Sequence, residues 1–521
     1  MFASSHTLSL TLSSHLTFFF FFSSSQGTSL GPNGLNKLIV NHLEKLFVTS
    51  DAATIMHELD VIHPAAKVIT LNAKQQEVEI GDGINLVVVL AGELLQKAET
   101  LLRAGLHPSE IIAGYDKAAK LALRELESLV ALTVADTTDR AQIAHCIRGA
   151  IASKLYGQEG TLAPLVADAC VRVTPAANPA AFNVDNVRVV KIPGGGVHDS
   201  SLVQGMLLPR APEGTVRALT QAKIGVFASG IDSAKTETKG TVLIQNADEL
   251  LSFAKGEEQQ IEQAVAEIAA SGVTCVVSGG VIGELAMHYL ERHGLMVIKV
   301  QSKFDVQRLC RATGATPLMR LGAPTPEEMG RCRAIVSQEI GGKPVTIFRQ
   351  DGDDDRSKVC TIIARGSTAA VLDDVERAVD DGVNTFKALT RDPRFVPGGG
   401  AAEIELARRL GQLAETETGL AQYAMKRFAE AFEVIPATLG ETCGLDPTQL
   451  VADLYAAHAA PAVAGKPSPA HVCVDIEAGA LGDATKLQIW DSLLAKANAI
   501  RLAADAAITI LQVDHIIVAR R

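Results

Sequence analysis

The sequence has no excess of positive charge: 48 Lys and Arg stand against 59 Asp and Glu, a net charge of -11, with an isoelectric point near 5.7. Affinity for nucleic acid is carried by clustered Lys and Arg, so this balance argues against a polynucleotide partner. Paired cysteines are also lacking. The eight, Cys146, Cys170, Cys275, Cys310, Cys332, Cys360, Cys443 and Cys473, are scattered with no C-x-x-C and no nearby His at metal-finger spacing. They read as small core hydrophobes in a reducing cytosol, without zinc or thiol chemistry. No Lys or Arg precedes Lys37, and no apolar run reaches the ~18 residues that span a bilayer. Both absences argue against secretion and membrane insertion and for a cytoplasmic protein. Internal repeats and heptads are missing, which excludes solenoids and coiled coils.

What remains is 521 residues, 47% hydrophobic and 21% charged, the composition of a folded chain of roughly three to four structural units. Residues 1–26 stand apart. They are rich in Ser, Thr and Leu and hold the run Phe18 to Phe22, five of the 16 Phe. With no periodic face to bury, this stretch is expected to pack poorly.

From Ser109 to Val130 the apolar residues Ile111, Ile112, Tyr115, Ala118, Ala122, Leu126 and Leu129 recur at helical spacing behind Pro108 and Ser109, which predicts an amphipathic helix. Similar texture predicts helices over Ile84 to Arg103, Ala401 to Leu413, Ala421 to Leu439 and Ser492 to Leu511, so both chain ends read as mainly α. The middle differs. Short β-prone runs at Val187 to Ile192, Lys223 to Phe227, Thr241 to Ile244, Thr274 to Ser278, Met296 to Val300, Val345 to Phe348 and Lys358 to Ala364 alternate with helical stretches, the texture of an α/β region. Pro193 to Gly196 and Pro397 to Gly400 are candidate hinges, and Pro461 to Pro469 a surface loop.

No G-x-x-x-x-G-K-[ST] occurs, and Gly81-Asp82-Gly83-Ile84-Asn85-Leu86 lacks the last glycine of a dinucleotide fingerprint, so the two commonest phosphate-binding signatures fail. Three stations combine glycine with charge: Gly31-Pro32-Asn33-Gly34 with Lys37, Gly81-Asp82-Gly83 ahead of a long helix, and Asp380-Asp381 upstream of Gly398-Gly399-Gly400. Glycines let backbone N–H groups approach a polyanion, and a helix N-terminus adds a favourable dipole. A carboxylate such as Asp82 meets phosphate only through a cation, which implies Mg²⁺. Composition and spacing leave two readings open: Asp82 as metal ligand or as helix cap, and Gly398 to Gly400 as ligand loop or as plain turn.

The run Leu30 to Lys37, Leu-Gly-Pro-Asn-Gly-Leu-Asn-Lys, followed by Asn41 to Ile55, resembles the nucleotide site of group II chaperonins. His63-Pro-Ala-Ala-Lys67, Phe182-Asn-Val-Asp-Asn-Val-Arg188, Thr236 to Ile244, Glu376 to Lys387 and Lys426-Arg-Phe-Ala-Glu-Ala-Phe432 carry the same resemblance, which extends over roughly Gly27 to Arg520.

The resemblance implies a multidomain α/β chaperonin fold: a helical equatorial domain from both chain ends (1–148 and 398–521), a small α/β intermediate domain contributed twice (149–206 and 365–397), and an α/β apical domain (207–364) whose helix near Ala247 to Gly272 belongs to a lid protrusion. It implies paralogous subunits in two stacked rings that enclose unfolded cytosolic chains such as actin and tubulin and close with ATP hydrolysis. Carried over by position, Gly31, Pro32 and Gly34 would wrap the phosphates, together with Gly81, Gly83, Ile84 and Asn85. Asp82 would hold Mg²⁺, Asp51 would sit by the metal and the γ-phosphate, and Asp381 would orient the attacking water. Lys154 would sense the γ-phosphate, Gly398, Gly399 and Gly400 would lie along the nucleotide, and Asp491 would meet the ribose. Three departures stand out. Ile84-Asn85 replaces the usual Thr-Thr and removes two hydroxyls, which opens the alternative of a structural ring subunit with weak or no ATP turnover. Gln488-Ile-Trp-Asp491 replaces a small-residue turn. Residues 1–26 replace the family's first helix, as an imperfect gene model would.

Overall fold

The computed structural model describes residues 26–41, 43–59, 61–175, 178–232, 247–350, 359–460 and 469–516. The stretch 1–25, the expected strand Thr241 to Ile244 and the loop 461–468 lie outside the described residues. The chain divides into two compact units, Met1–Ala167 with Asp373–Arg521, and Asp168–Leu372.

The first unit opens with the antiparallel strands β1 (Lys37–Val40) and β2 (Leu46–Thr49). Helices α1 (Ala52–Glu58), α2 (Pro64–Glu79), α3 (Ile84–Arg103) and α4 (Pro108–Ser128) follow. Asp51 caps α1 by accepting from the Thr54 amide, and α2 and α4 carry proline in their first turn, where its missing N–H costs nothing. The helix α3 is apolar on nearly every face, with Val87, Val88, Val89, Leu90, Ala91, Leu94 and Leu95 all buried, as befits a helix in the middle of a core. Strand β3 (Leu132–Thr133), helix α5 (Arg140–Ala152) and the start of α6 (Glu159–Val173) complete this first segment.

The second unit is built on an eight-stranded mixed sheet. Its strands are β4 (Val187–Pro193), β5 (Ser201–Leu208), β6 (Ala218–Phe227), β7 (Cys275–Ser278), β8 (Met296–Lys299), β9 (Gly330–Ile340), β10 (Lys343–Arg349) and β11 (Cys360–Gly366), in the spatial order β4-β11-β5-β10-β9-β6-β7-β8. The pairs β4/β11, β6/β7 and β7/β8 are parallel and the rest antiparallel. Helices α7 (Ala247–Ala270), α8 (Glu284–Arg292) and α9 (Lys303–Thr313) accompany it. The second half of α7 buries Ile261, Val265 and Ile268 against Phe227, Val276 and Leu290. Strands β5 and β9 escape the sequence reading: Gly205 interrupts the first, and Arg331 and Arg333 alternate with the buried Cys332 in the second.

The chain returns to the first unit along α10 (Ala369–Arg391), then β12 (Arg394–Pro397), α11 (Ala401–Thr416), α12 (Ala421–Ala431), α13 (Val434–Thr442) and α14 (Pro447–Ala459). After the hairpin β13 (Val472–Asp475) and β14 (Ala480–Asp483) come the short helix α15 (Ala484–Leu487), β15 (Trp490–Ser492) and α16 (Leu493–Leu511). The single helix expected over Ala421 to Leu439 is two. Pro436 has no N–H for the Phe432 carbonyl, so the chain restarts, with proline in the first turn of α13. Strands β3, β12 and β15 form a three-stranded sheet in the order β15-β12-β3, a β element within a region that reads as α. One apolar core joins Ile55, Leu90, Leu94, Tyr115, Leu406, Phe428, Phe432, Ile500 and Ala503, so residues from both chain ends share it. Among the described residues no helix is long and apolar enough to cross a membrane.

Candidate functional site

A cavity of about 490 Å³ lies in the first unit. Two helices open onto it from left-handed glycines. Gly83 (φ 76°) is the N-cap of α3 and Gly400 (φ 83°) that of α11, and neither supplies a capping side chain. At these positive φ values a side chain would be strained. The first-turn amides of Ile84, Asn85 and Leu86 are therefore left for whatever occupies the cavity.

The sequence left Asp82 as ligand or cap. Gly83 takes the cap position, and among the described residues Asp82 Oδ1 accepts only from the adjacent Gly83 amide, at 2.6 Å. Burial raises the Asp82 carboxyl above its ordinary value, and the nearby Asp491 charge adds to the rise against the Gly83 hydrogen bond. Thr385, one turn beyond Asp381 on α10, places its hydroxyl 2.8 Å from the Asp381 carbonyl and 3.3 Å from Asp82 Oδ2.

Beside it, Lys154, just past the end of α5, reaches Asp51 Oδ1 at 2.9 Å and Asp381 Oδ2 at 3.6 Å. Asp51 also accepts from the Thr54 amide and hydroxyl at 2.9 and 2.7 Å. Burial works against its charge, but Lys154 and Thr54 outweigh burial and hold it at about 2. Lys154 is likewise opposed by burial and pushed up to about 12 by Asp381 and Asp51. Asp381 is the odd member. Burial carries it well above the usual carboxylate range; Lys154 opposes the rise, and Asp82 and Asp51 add to it.

On another part of the lining, Lys496 of α16 sits 2.6 Å from Glu403 Oε1 and 2.8 Å from Asp491 Oδ2. Glu403 is the third residue of α11, and Asp491 lies within β15, opposite Val396 of β12. The lining is apolar at Ile435, Leu439, Val474 and Ile489.

Of the residues singled out from sequence, Gly31, Pro32, Asp51, Gly81, Asp82, Gly83, Ile84, Asn85, Lys154, Asp381, Gly399, Gly400 and Asp491 line this one cavity. Gly34 and Gly398 do not. Gly34 closes a turn by donating to the Gly31 carbonyl at 3.0 Å. Gly398 lies behind the wall, where a Cβ would come within 3.0 Å of Asp491 Oδ2. Ile84 turns into the apolar core beside Ile55 and Val88, and Asn85 donates its amide to the Ser29 hydroxyl at 3.1 Å. Sequence reasoning missed Thr385, Glu403 and Lys496. A lone lysine in the apolar run Leu493 to Ala507, and a glutamate three residues after Gly400, were the available signals.

Among the described residues no three His, Cys, Asp or Glu side chains cluster as a metal cage. Magnesium characteristically takes one or two carboxylates and completes its octahedron with water and phosphate oxygens. The half-buried Asp82 carboxylate beside the open amides of α3 fits that donor set.

The sequence profile of the TCP-1/cpn60 chaperonin family matches residues 23–521. The chain belongs to this family. It has the family's multidomain α/β chaperonin fold, and its role is that of a chaperonin subunit. It is 49% identical over 493 residues to T-complex protein 1 subunit theta of Dictyostelium discoideum, covering 95% of this chain and 90% of the relative. The theta subunits of Arabidopsis thaliana and Homo sapiens are 48% and 47% identical over 495 residues, each covering 95% of this chain and 88% of the relative. In this chaperonin chain the glycine turns, the α3 N-terminus and the acid–lysine clusters belong to one continuous lining.

Proposed function

We propose that this chain is an ATP-hydrolysing subunit of a cytoplasmic chaperonin, assembled with paralogous subunits into a hetero-oligomeric double ring that encloses and folds proteins such as actin and tubulin. The observation that carries the reading is the half-buried Lys154 between Asp51 and Asp381, beside Asp82 and the open N-terminus of α3. Phosphoryl transfer needs positioning and charge neutralisation more than covalent chemistry, and these residues provide both. The amides of Ile84, Asn85 and Leu86 receive phosphate oxygens, with Gly31, Pro32 and Gly81 around them, and Lys154 faces the terminal phosphate. Asp82 would hold Mg²⁺, which neutralises charge on the phosphate oxygens when bound. Asp381 accepts a proton from water and aims it in line; a carboxyl whose protonated form is favoured by burial holds that proton more readily than an exposed one. The sugar lies by Asp491 and the base along Gly399, Gly400 and the apolar wall. In this reading the chain is divided as an equatorial domain (1–148, 398–521), an intermediate domain (149–206, 365–397) and an apical domain (207–364).

Asp381→Ala in assembled rings should leave nucleotide binding by this subunit nearly intact and lower its single-turnover hydrolysis by ~10²- to 10⁴-fold. Asp82→Ala should weaken both. A second reading, a structural subunit with little turnover, is favoured by the burial of Ile84 and by the engagement of Asn85 with Ser29. Unchanged turnover in the Asp381 variant decides for it.

A further inference from the structure

Asp491, beside the apolar Ile489 on the cavity lining, is 38% exposed at its side chain, whereas Lys496 next to it is exposed by only 8%. Its two oxygens differ. Oδ2 is held by Lys496 at 2.8 Å, in the space left because residue 398 has no Cβ. Oδ1 has no hydrogen-bond partner among the described residues. The lysine is itself seated on Glu403 at 2.6 Å, at the start of α11, and Asp491 is fixed through β15 to β12. A carboxylate only accepts hydrogen bonds, so what it meets must donate. The cluster carries two negative charges and one positive, which turns phosphate away and suits a neutral hydroxyl. Burial opposes the Lys496 charge, but Asp491 and Glu403 raise its value above the ordinary amine range, so the ammonium persists.

We propose that Lys496, seated on Glu403, is a positioning residue that locks one oxygen of Asp491 and aims the other at the sugar hydroxyls of the bound nucleotide, so that this site selects ribose over sugars lacking those hydroxyls. The inference rests on the nucleotide reading above. Without the ammonium, Glu403 and Asp491 face each other unneutralised and nothing holds Oδ2 in place, so the aimed acceptor is lost.

The test uses the full chain in its assembled chaperonin, photolabelled with 8-azido-ATP and read on this chain by mass. Label is competed with ATP or with 2′,3′-dideoxy-ATP. In the wild type ATP should compete about 10- to 100-fold better, the worth of a hydrogen bond to a charged acceptor. Lys496→Gln should cut that preference below about 3-fold, Lys496→Arg should recover most of it, and Asp491→Asn should lose it while leaving the buried lysine in place. Glu403→Gln, which keeps a hydrogen-bonding partner for Lys496, should cut the preference partway and serves if Lys496→Gln does not assemble. Equal competition by the two nucleotides in the wild type overturns the inference alone. So does a Lys496→Gln protein that weakens both nucleotides by one common factor, the mark of a merely structural lysine. No labelling of the wild-type chain overturns the nucleotide reading and this inference with it.

Discussion

Two lysines line the same cavity, each between two carboxylates, and they are held differently. Lys496 is gripped at 2.6 and 2.8 Å. Lys154 is bound to Asp51 at 2.9 Å but stands 3.6 Å from Asp381. The first cluster is closed around its cation, while the second leaves one acid under-compensated, and burial carries that acid, Asp381, well above its ordinary value. A tight pair stores rigidity. A loose pair keeps a carboxyl able to change its protonation, which proton transfer requires.

The sharpest way to break this contrast is to remove each ammonium. Lys496→Met should destabilise the first unit by about 3–5 kcal/mol, the cost of leaving a buried charge unpaired, and Lys154→Met by less, about 1–3 kcal/mol, because Lys154 holds Asp381 only loosely, at 3.6 Å. Denaturant unfolding of the two variants side by side checks the order, and equal losses would remove the distinction.

The next effect is in pH. Asp51 is held at about 2 against an ordinary 3.8, so its contribution, about 2 kcal/mol, is complete above pH 4 and is lost as pH falls through 2. Lys154 is raised to about 12 from 10.5, so its contribution is complete below pH 10.5 and is lost as pH rises through 12. The stability gap between wild type and Asp51→Asn should therefore be flat through neutrality and close toward pH 2. A gap that widens on acidification contradicts the assignment.

The smallest expected effect concerns the hydrogen bond from the Tyr156 hydroxyl to Glu477 Oε1, 2.9 Å long and exposed, which links two segments of the lining. Tyr156→Phe should cost less than about 1 kcal/mol and leave the Lys154 and Lys496 clusters as they are. A change in the ribose preference in this variant would mean that the lining acts as one unit and not as two separable clusters.

How far the sequence foretold this can be read from the same residues. The helix Ile84 to Arg103 is legible to the residue because a glycine cap and a long apolar pattern agree. The glycine stations near Gly31, Gly83 and Gly400 are legible because tight turns demand glycine, and thirteen of fifteen singled-out residues reach one cavity. The Lys496 cluster is not legible: its partners are Glu403, 93 positions away, and Asp491, which sequence offered only by resemblance. The sheet of β3, β12 and β15 is hidden too, since strands of two to four residues have no periodicity to read.

The shared core of Leu90 and Tyr115 from the start of the chain with Phe428 and Ile500 from its end has a consequence for synthesis. At roughly 5–20 residues per second, a ribosome that has finished α3 at Arg103 takes on the order of half a minute or more to reach Lys496. For most of that interval α3 stands with its Val and Leu faces uncovered, and α16, which covers part of them, does not yet exist. The nascent subunit thus carries exposed, aggregation-prone apolar surface until its last helix leaves the exit tunnel.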